Sequence, residues 1–212
     1  MQKVNLGRVE TTTESAPLGS RMEANHLRFT IGDLVFDVRR AECVAVLRDG
    51  ANGPELRWEL DVHGEGPGPD GSIWRPRATT SNGGLRTPVA CGRMLTTVTW
   101  RGQSDSDEEG RIGSFYVHEH GHFRNSDISI ARCGVSWNID WSGECDVNWS
   151  PQYRGRNFAI RAAAVAVLDI EAGSIDEARR LVARELDLSQ FDMSAVTKSR
   201  HHGRLRVRFV NT

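Results

Sequence analysis

The clearest feature of the chain is alternation of apolar and polar positions. In HLRFTIGDLVFDV, residues 26 to 38, two alternating runs flank Gly32-Asp33, a pattern that predicts a β-hairpin. A two-residue loop sets Ile31 opposite Leu34, Phe29 opposite Phe36 and Leu27 opposite Val38, with Arg28 across from Asp37. Glycine at the first loop position suits a type II′ turn. Residues 43 to 48 are apolar on both faces, as in a buried strand, and DGANGP ends them. Leu56, Trp58, Leu60 and Val62 then alternate with charged residues. Residues 63 to 90 contain GEGPGPDG and SNGG and predict a long loop, with SIWRPRA as its one strand-like stretch. Met94–Trp100, Ile112–Phe123 and Ile128–Cys133 read as further strands.

The densest pattern is SWNIDWSGECDVNW, residues 136 to 149. Trp137, Ile139 and Trp141, then Cys145, Val147 and Trp149, alternate with polar residues around Ser142-Gly143-Glu144. This predicts a hairpin that pairs Trp141 with Cys145, Ile139 with Val147 and Trp137 with Trp149, keeping one face apolar. The same register faces Asp140 with Asp146. NFAIRAAAVAVLDI, residues 157 to 170, balances alanines that favour helix against β-branched residues that favour strand, and a long central strand is expected. A helix near 175–187 opens at Ser174-Ile-Asp-Glu177, a capping box, and carries Ile175, Ala178, Leu181, Val182 and Leu186 on one stripe. RLRVRFV, residues 204 to 210, closes the reading as a strand. The fold class is therefore α+β, a mainly antiparallel sheet built from hairpins with one late amphipathic helix and a C-terminal strand.

Composition narrows the function classes. The 212 residues carry 27 Lys plus Arg against 28 Asp plus Glu, so no overall field draws the chain to nucleic acid or to a membrane. No apolar run is long enough to span a bilayer. Cys43, Cys91, Cys133 and Cys145 have no Cys-x-x-Cys spacing and read as reduced cytosolic thiols. Residues 1–25 read as a polar tail, 26–101 as an N-terminal β-rich part, 102–110 as an acidic connector and 111–212 as a second β-rich part containing the helix. A cytoplasmic protein is expected.

Three groups of side chains could carry chemistry. His118, His120 and His122 would lie on one face of a strand, and neighbouring imidazoles at i and i+2 can share zinc or another transition metal. An extended strand separates the outer two by about 13 Å, so a third ligand needs a bend, which Gly121 could supply. Asp140 facing Asp146 could form an acid–base couple or a cationic partner's seat. Alternatively, Arg161 or the stripe Arg204, Arg206 and Arg208 neutralises the pair. That stripe could itself meet an acidic protein surface; nucleic acid is not expected, because no aromatic residues interleave with it. No nucleophile, phosphate-loop or dinucleotide motif is present in the sequence.

From about residue 115 to 210, FYVHEH is followed by a strand, then by WSGECDVNW, Tyr153 and Phe158, then by the helix and a last strand. That order resembles the small immunity proteins encoded beside bacterial contact-delivered toxins. The resemblance implies a non-enzymatic cytosolic protein that binds and blocks a toxin domain, or one that serves in a protein assembly, without a cofactor. The alternative expectation is a metal-binding protein or metal-dependent enzyme built on the three histidines.

Overall fold

The computed structural model describes residues 27–50, 53–80, 85–88, 97–102, 113–133, 136–147, 151–185, 191–201 and 204–211. Its strands are β1 (Arg28–Ile31), β2 (Leu34–Gly50), β3 (Gly53–Pro67), β4 (Ile73–Trp74), β5 (Arg77–Thr80), β6 (Leu85–Pro88) and β7 (Thr97–Gly102). They continue with β8 (Gly113–Val117), β9 (Glu119–Cys133), β10 (Ser136–Asp146) and β11 (Arg156–Ala172). Helix α1 (Ile175–Glu185) then precedes β12 (Phe191–His201) and β13 (Arg204–Asn211).

Antiparallel β-structure with a single α-helix among the described residues agrees with the class read from the sequence, but the hairpins do not form an open sheet. Strands β1, β2, β3, β5, β8, β9, β10 and β11 pair in that order, and β11 returns to β1. The result is a closed eight-stranded barrel. β1 covers only part of the seam. Beyond it β2 and β11 pair directly and in parallel, Cys43 to Leu47 against Ala166 to Ile170. β13 and β12 extend the sheet outward from β11. Strands on the two sides of the expected connector at 102–110 pair with each other, β5 with β8 and β7 with β9; residues 103–110 lie outside the described residues.

Alternation puts one aromatic set inside. Phe29, Phe36, Phe115, Phe123, Trp141 and Phe158 are buried, and their rings meet at centroid distances of 4.6 to 6.2 Å. Trp74 stacks on Phe36 and meets Tyr153 and His118 edge-on. Trp58 and Trp137 form a second T-shaped pair at 4.9 Å. Ala178, Leu181 and Val182 of α1 join the same core. Among the described residues, side chains pack the barrel interior.

The Gly32-Asp33 hairpin has the expected register, Ile31 with Leu34, Phe29 with Phe36 and Arg28 with Asp37. Gly32 takes φ 59° there, a conformation that favours glycine. Residues 157–170 belong to a strand, as expected. The helix is capped by its box: Glu177 donates its backbone N–H to Ser174 Oγ at 3.1 Å, while its carboxylate accepts from the Gly173 N–H at 2.9 Å.

Four expectations are corrected. Ser136 to Asp146 is one continuous strand, not a hairpin, lying between β9 and β11. Trp137, Ile139, Trp141, Cys145 and Val147 are buried all the same, because odd-numbered positions share a face whether the chain turns symmetrically or runs on; Trp149 lies outside the described residues. Gly143, read as a turn residue, is required by a close approach: a Cβ there would meet the Asn125 carbonyl oxygen at 1.9 Å and the Phe158 ring at 3.1 Å. Ile112–Phe123 is not one strand, since His118 at φ 60° forms the tip of a tight turn between β8 and β9. Within 63–90, expected to be loop apart from the strand-like residues 72–78, β3 runs on to Pro67. β4 and the start of β5 fall in that strand-like stretch, β6 lies beyond it, and all three pair with β3. β12 was not expected at all.

Candidate functional site

Among the described residues, apolar side chains fill the interior, and a cluster of polar side chains lies on the barrel wall. Inward Val62, Ala78, Phe115 and Gly121 alternate with outward polar residues on β3, β5, β8 and β9. Registration stacks those outward residues in two rows. His63, Arg77, Tyr116 and His120 form one row across the four strands, and Asp61, Thr79 and Ser114 form the other. Arg77, Thr79, Ser114, Tyr116 and His120 line a depression of about 270 Å³.

Arg77 is held as a rigid fork. Its Nε donates to Asp61 Oδ1 at 2.8 Å and its Nη2 to Oδ2 at 2.9 Å, the bidentate geometry that fixes a guanidinium plane. His63 Nε2 stands 3.0 Å from the same Oδ1. Partial burial pushes the Asp61 carboxyl up, but the hydrogen bonds from Arg77 and the adjacent His63 ring outweigh it and hold it below the ordinary carboxylate value. The Asp61 bond in turn raises Arg77. Thr79 Oγ1 and Ser114 Oγ share one hydrogen bond of 2.8 Å. Neither hydroxyl therefore meets a base among the described residues, which is what nucleophilic activation would need. Tyr116 is 41% exposed, and its ring faces His120 across the β8–β9 pair at 5.4 Å. The set offers a cation, hydroxyl donors and an aromatic face. It is equipped to bind.

The residues singled out from sequence scatter. His118 sits at the turn tip against Trp74, His120 in the depression, and His122 opposite Asp146 on β10. The turn breaks the common face assumed for them, and no group of three or more His, Cys, Asp and Glu side chains among the described residues could hold a metal ion. Asp140 and Asp146 do not face each other, because the hairpin that paired them is absent. Asp140 pairs in register with Arg161, 3.8 Å away, both side chains being well exposed. Asp146 is buried and accepts the Gly155 N–H at 2.8 Å.

The arginine stripe is not a free basic surface. Arg206 is buried and forks onto Glu59 at 2.8 and 3.0 Å, with Glu171 at 3.4 Å. Arg208 forks onto Asp169 at 2.7 and 3.0 Å. Arg57 joins from β3, 2.6 Å from Glu59 and 3.3 Å from Glu171. Three acids and three arginines thus pair with one another on the outer face of the barrel, leaving the Nε of Arg57 and of Arg206 without a hydrogen bond among the described residues; these arginines neutralise neither Asp140 nor Asp146. The Arg204 side chain lies outside the described residues. What sequence reasoning missed is Asp61, His63, Arg77, Thr79, Ser114 and Tyr116. The signal was present only as two short polar–apolar–polar triplets, Arg77-Ala78-Thr79 and Ser114-Phe115-Tyr116.

No family model matches the chain, and neither the curated proteins nor the solved structures searched contain a match.

Proposed function

We propose that this protein is a non-enzymatic binding module of the cytosol that engages a protein partner with the outer wall of its barrel, around Arg77, Tyr116 and His120. The observation that carries the reading is the division of the molecule. Its interior is filled by aromatic rings, whereas an exposed tyrosine and a rigidly held arginine border a depression outside. Tyrosine and arginine are the side chains that most often dominate protein interfaces. Blocking a toxin domain, as an immunity protein does, or joining an assembly, are the settings in which such a module acts.

The test is recovery of a partner from source-cell lysate on immobilised full-length chain, with Tyr116→Ala as the comparison. The exposed ring can be removed without opening the core, and circular dichroism verifies this. A partner held in stoichiometric amount by the native chain and weakened about thirtyfold or more by Tyr116→Ala, as for a hot-spot residue, supports the reading. Recovery of no partner at low salt, or equal recovery by both chains, overturns it.

A further inference from the structure

We propose that the wall depression seats the carboxylate of an aspartate or glutamate side chain presented by that partner; the inference rests on the protein-binding reading and specifies what the site recognises. Among the described residues its lining is Arg77, Thr79, Ser114, Tyr116 and His120, with no acidic side chain. Asp61 is already bonded through both of its oxygens to Arg77, and the Glu42 charge acts on the same guanidinium from β2.

Those bonds prepare Arg77 for a second acid. A guanidinium carries five N–H groups. Asp61 takes the Nε and Nη2 side of the fork, and Nη1 has no partner among the described residues. The plane is thus fixed before any ligand arrives, so little side-chain entropy remains to be lost on binding. The hydroxyl pair adds a second donor. Thr79 and Ser114 share one hydrogen between two oxygens, which leaves the other hydroxyl proton to be given outward. A planar carboxylate has two oxygens, one for the arginine edge and one for that hydroxyl. Tyr116 borders the seat and supplies apolar contact for the methylenes that carry the acid.

Charge argues against a doubly charged oxyanion, and size against a whole small molecule. Asp61 stands behind the guanidinium, so an incoming group meets one cation already shared with one anion. A single negative charge suits that balance better than a phosphoryl dianion. The volume of about 270 Å³ lies below the roughly 300–1,000 Å³ of pockets that enclose whole small molecules, and it accommodates a side chain. Other basic residues of the barrel wall already have acidic partners: Arg57, Arg206 and Arg208 hold Glu59, Asp169 and Glu171, and Arg40, in register with His63, holds Glu42.

The experiment is a nuclear magnetic resonance titration of the full chain with N-acetylglutamate methylamide, its glutamine analogue and inorganic phosphate, following the Ser114, Tyr116 and His120 amides. The expected result is a saturable millimolar shift with the glutamate probe alone, weakened about tenfold by Arg77→Gln, the effect of losing one charged hydrogen bond. Ser114→Ala leaves the Arg77–Asp61 fork in place and should weaken the same shift. Equal response to the glutamine analogue, tighter binding of phosphate, or no saturable shift overturns the assignment. The two readings fail separately. A partner that binds the native chain, Arg77→Gln and Ser114→Ala equally well removes the acid seat and keeps the module. Glutamate binding without any recoverable partner keeps the acid seat and removes the module.

Discussion

Gly143 has no side chain because the Asn125 backbone and the Phe158 ring occupy the space where one would begin. A carbonyl oxygen of a neighbouring strand cannot move aside as a flexible side chain can. Gly143→Ala should therefore cost roughly 1–3 kcal/mol or more, as overpacking does, and lower the midpoint of urea unfolding without changing its slope. An unchanged midpoint would mean that β9 and β10 do not approach so closely. The buried thiols make an independent test of the same interior. Desolvation pushes the Cys43 thiol far above its ordinary value, and desolvation with the neighbouring Asp146 charge pushes Cys145 up to about 12. Since only the thiolate attacks, neither should react with a disulfide reagent at about pH 8 until the chain is unfolded in urea. Rapid labelling of either in the native protein would place it outside the core.

At the scale of the element, the C-terminal strand β13 is tied to the barrel by charge. Arg206 reaches Glu59 on β3 and Glu171 on β11 from one buried position. Arg206→Met would leave Glu59 and Glu171 with Arg57 as their remaining cation among the described residues, so the loss of stability, measurable by chemical denaturation, should fall below the roughly 3–5 kcal/mol of a buried charge left wholly unpaired. The pH dependence has a definite sign. Burial raises the Glu59 carboxyl, but the hydrogen bond and charge of Arg206, then of Arg57, outweigh it and keep it below its ordinary 4.5. A depressed folded value means that this stabilisation is complete above 4.5 and is lost as pH falls through the folded value. Stability should accordingly decline below that point, and Glu59→Gln should flatten the decline while lowering stability at neutral pH. The arginine stripe was legible beforehand, but its partners were not, since Arg206 and Glu59 are 147 residues apart and alternation alone marks both as outward. The facing of residues was legible: Trp137, Ile139 and Trp141 are buried where the pattern put them. What the pattern could not distinguish was a turn from a glycine demanded by a neighbour, because Ser142-Gly143-Glu144 satisfies both. β5 escaped for another reason. Four residues, Arg77 to Thr80, between Pro76 and a polar stretch, carry too few periods to register.

Closure is a property of the whole molecule. Outward positions carry Asp61, Arg77, Asp140 and Arg161, and inward ones carry aromatic rings, the reverse of a lipid-facing wall around a polar lumen. No helix among the described residues is long and apolar enough to cross a membrane. The barrel is completed by pairings between parts of the chain that the acidic stretch at 102–110 seemed to divide: β5 with β8, and β1 and β2 with β11. Without β8 to β11, strands β1 to β5 form a curved sheet whose aromatic face, Phe29, Phe36 and Trp58, is left in water; without β1 to β5, Phe115, Phe123 and Trp141 share that fate. Neither half can bury its side of a core that both compose. Unfolding should therefore be a single cooperative transition, with circular dichroism, which follows strands from both halves, and tryptophan fluorescence, which follows the packed rings, superimposing across a urea series. Two resolved transitions, or a chain of residues 26–101 that folds by itself, would show that the connector separates autonomous units and that the barrel does not govern stability.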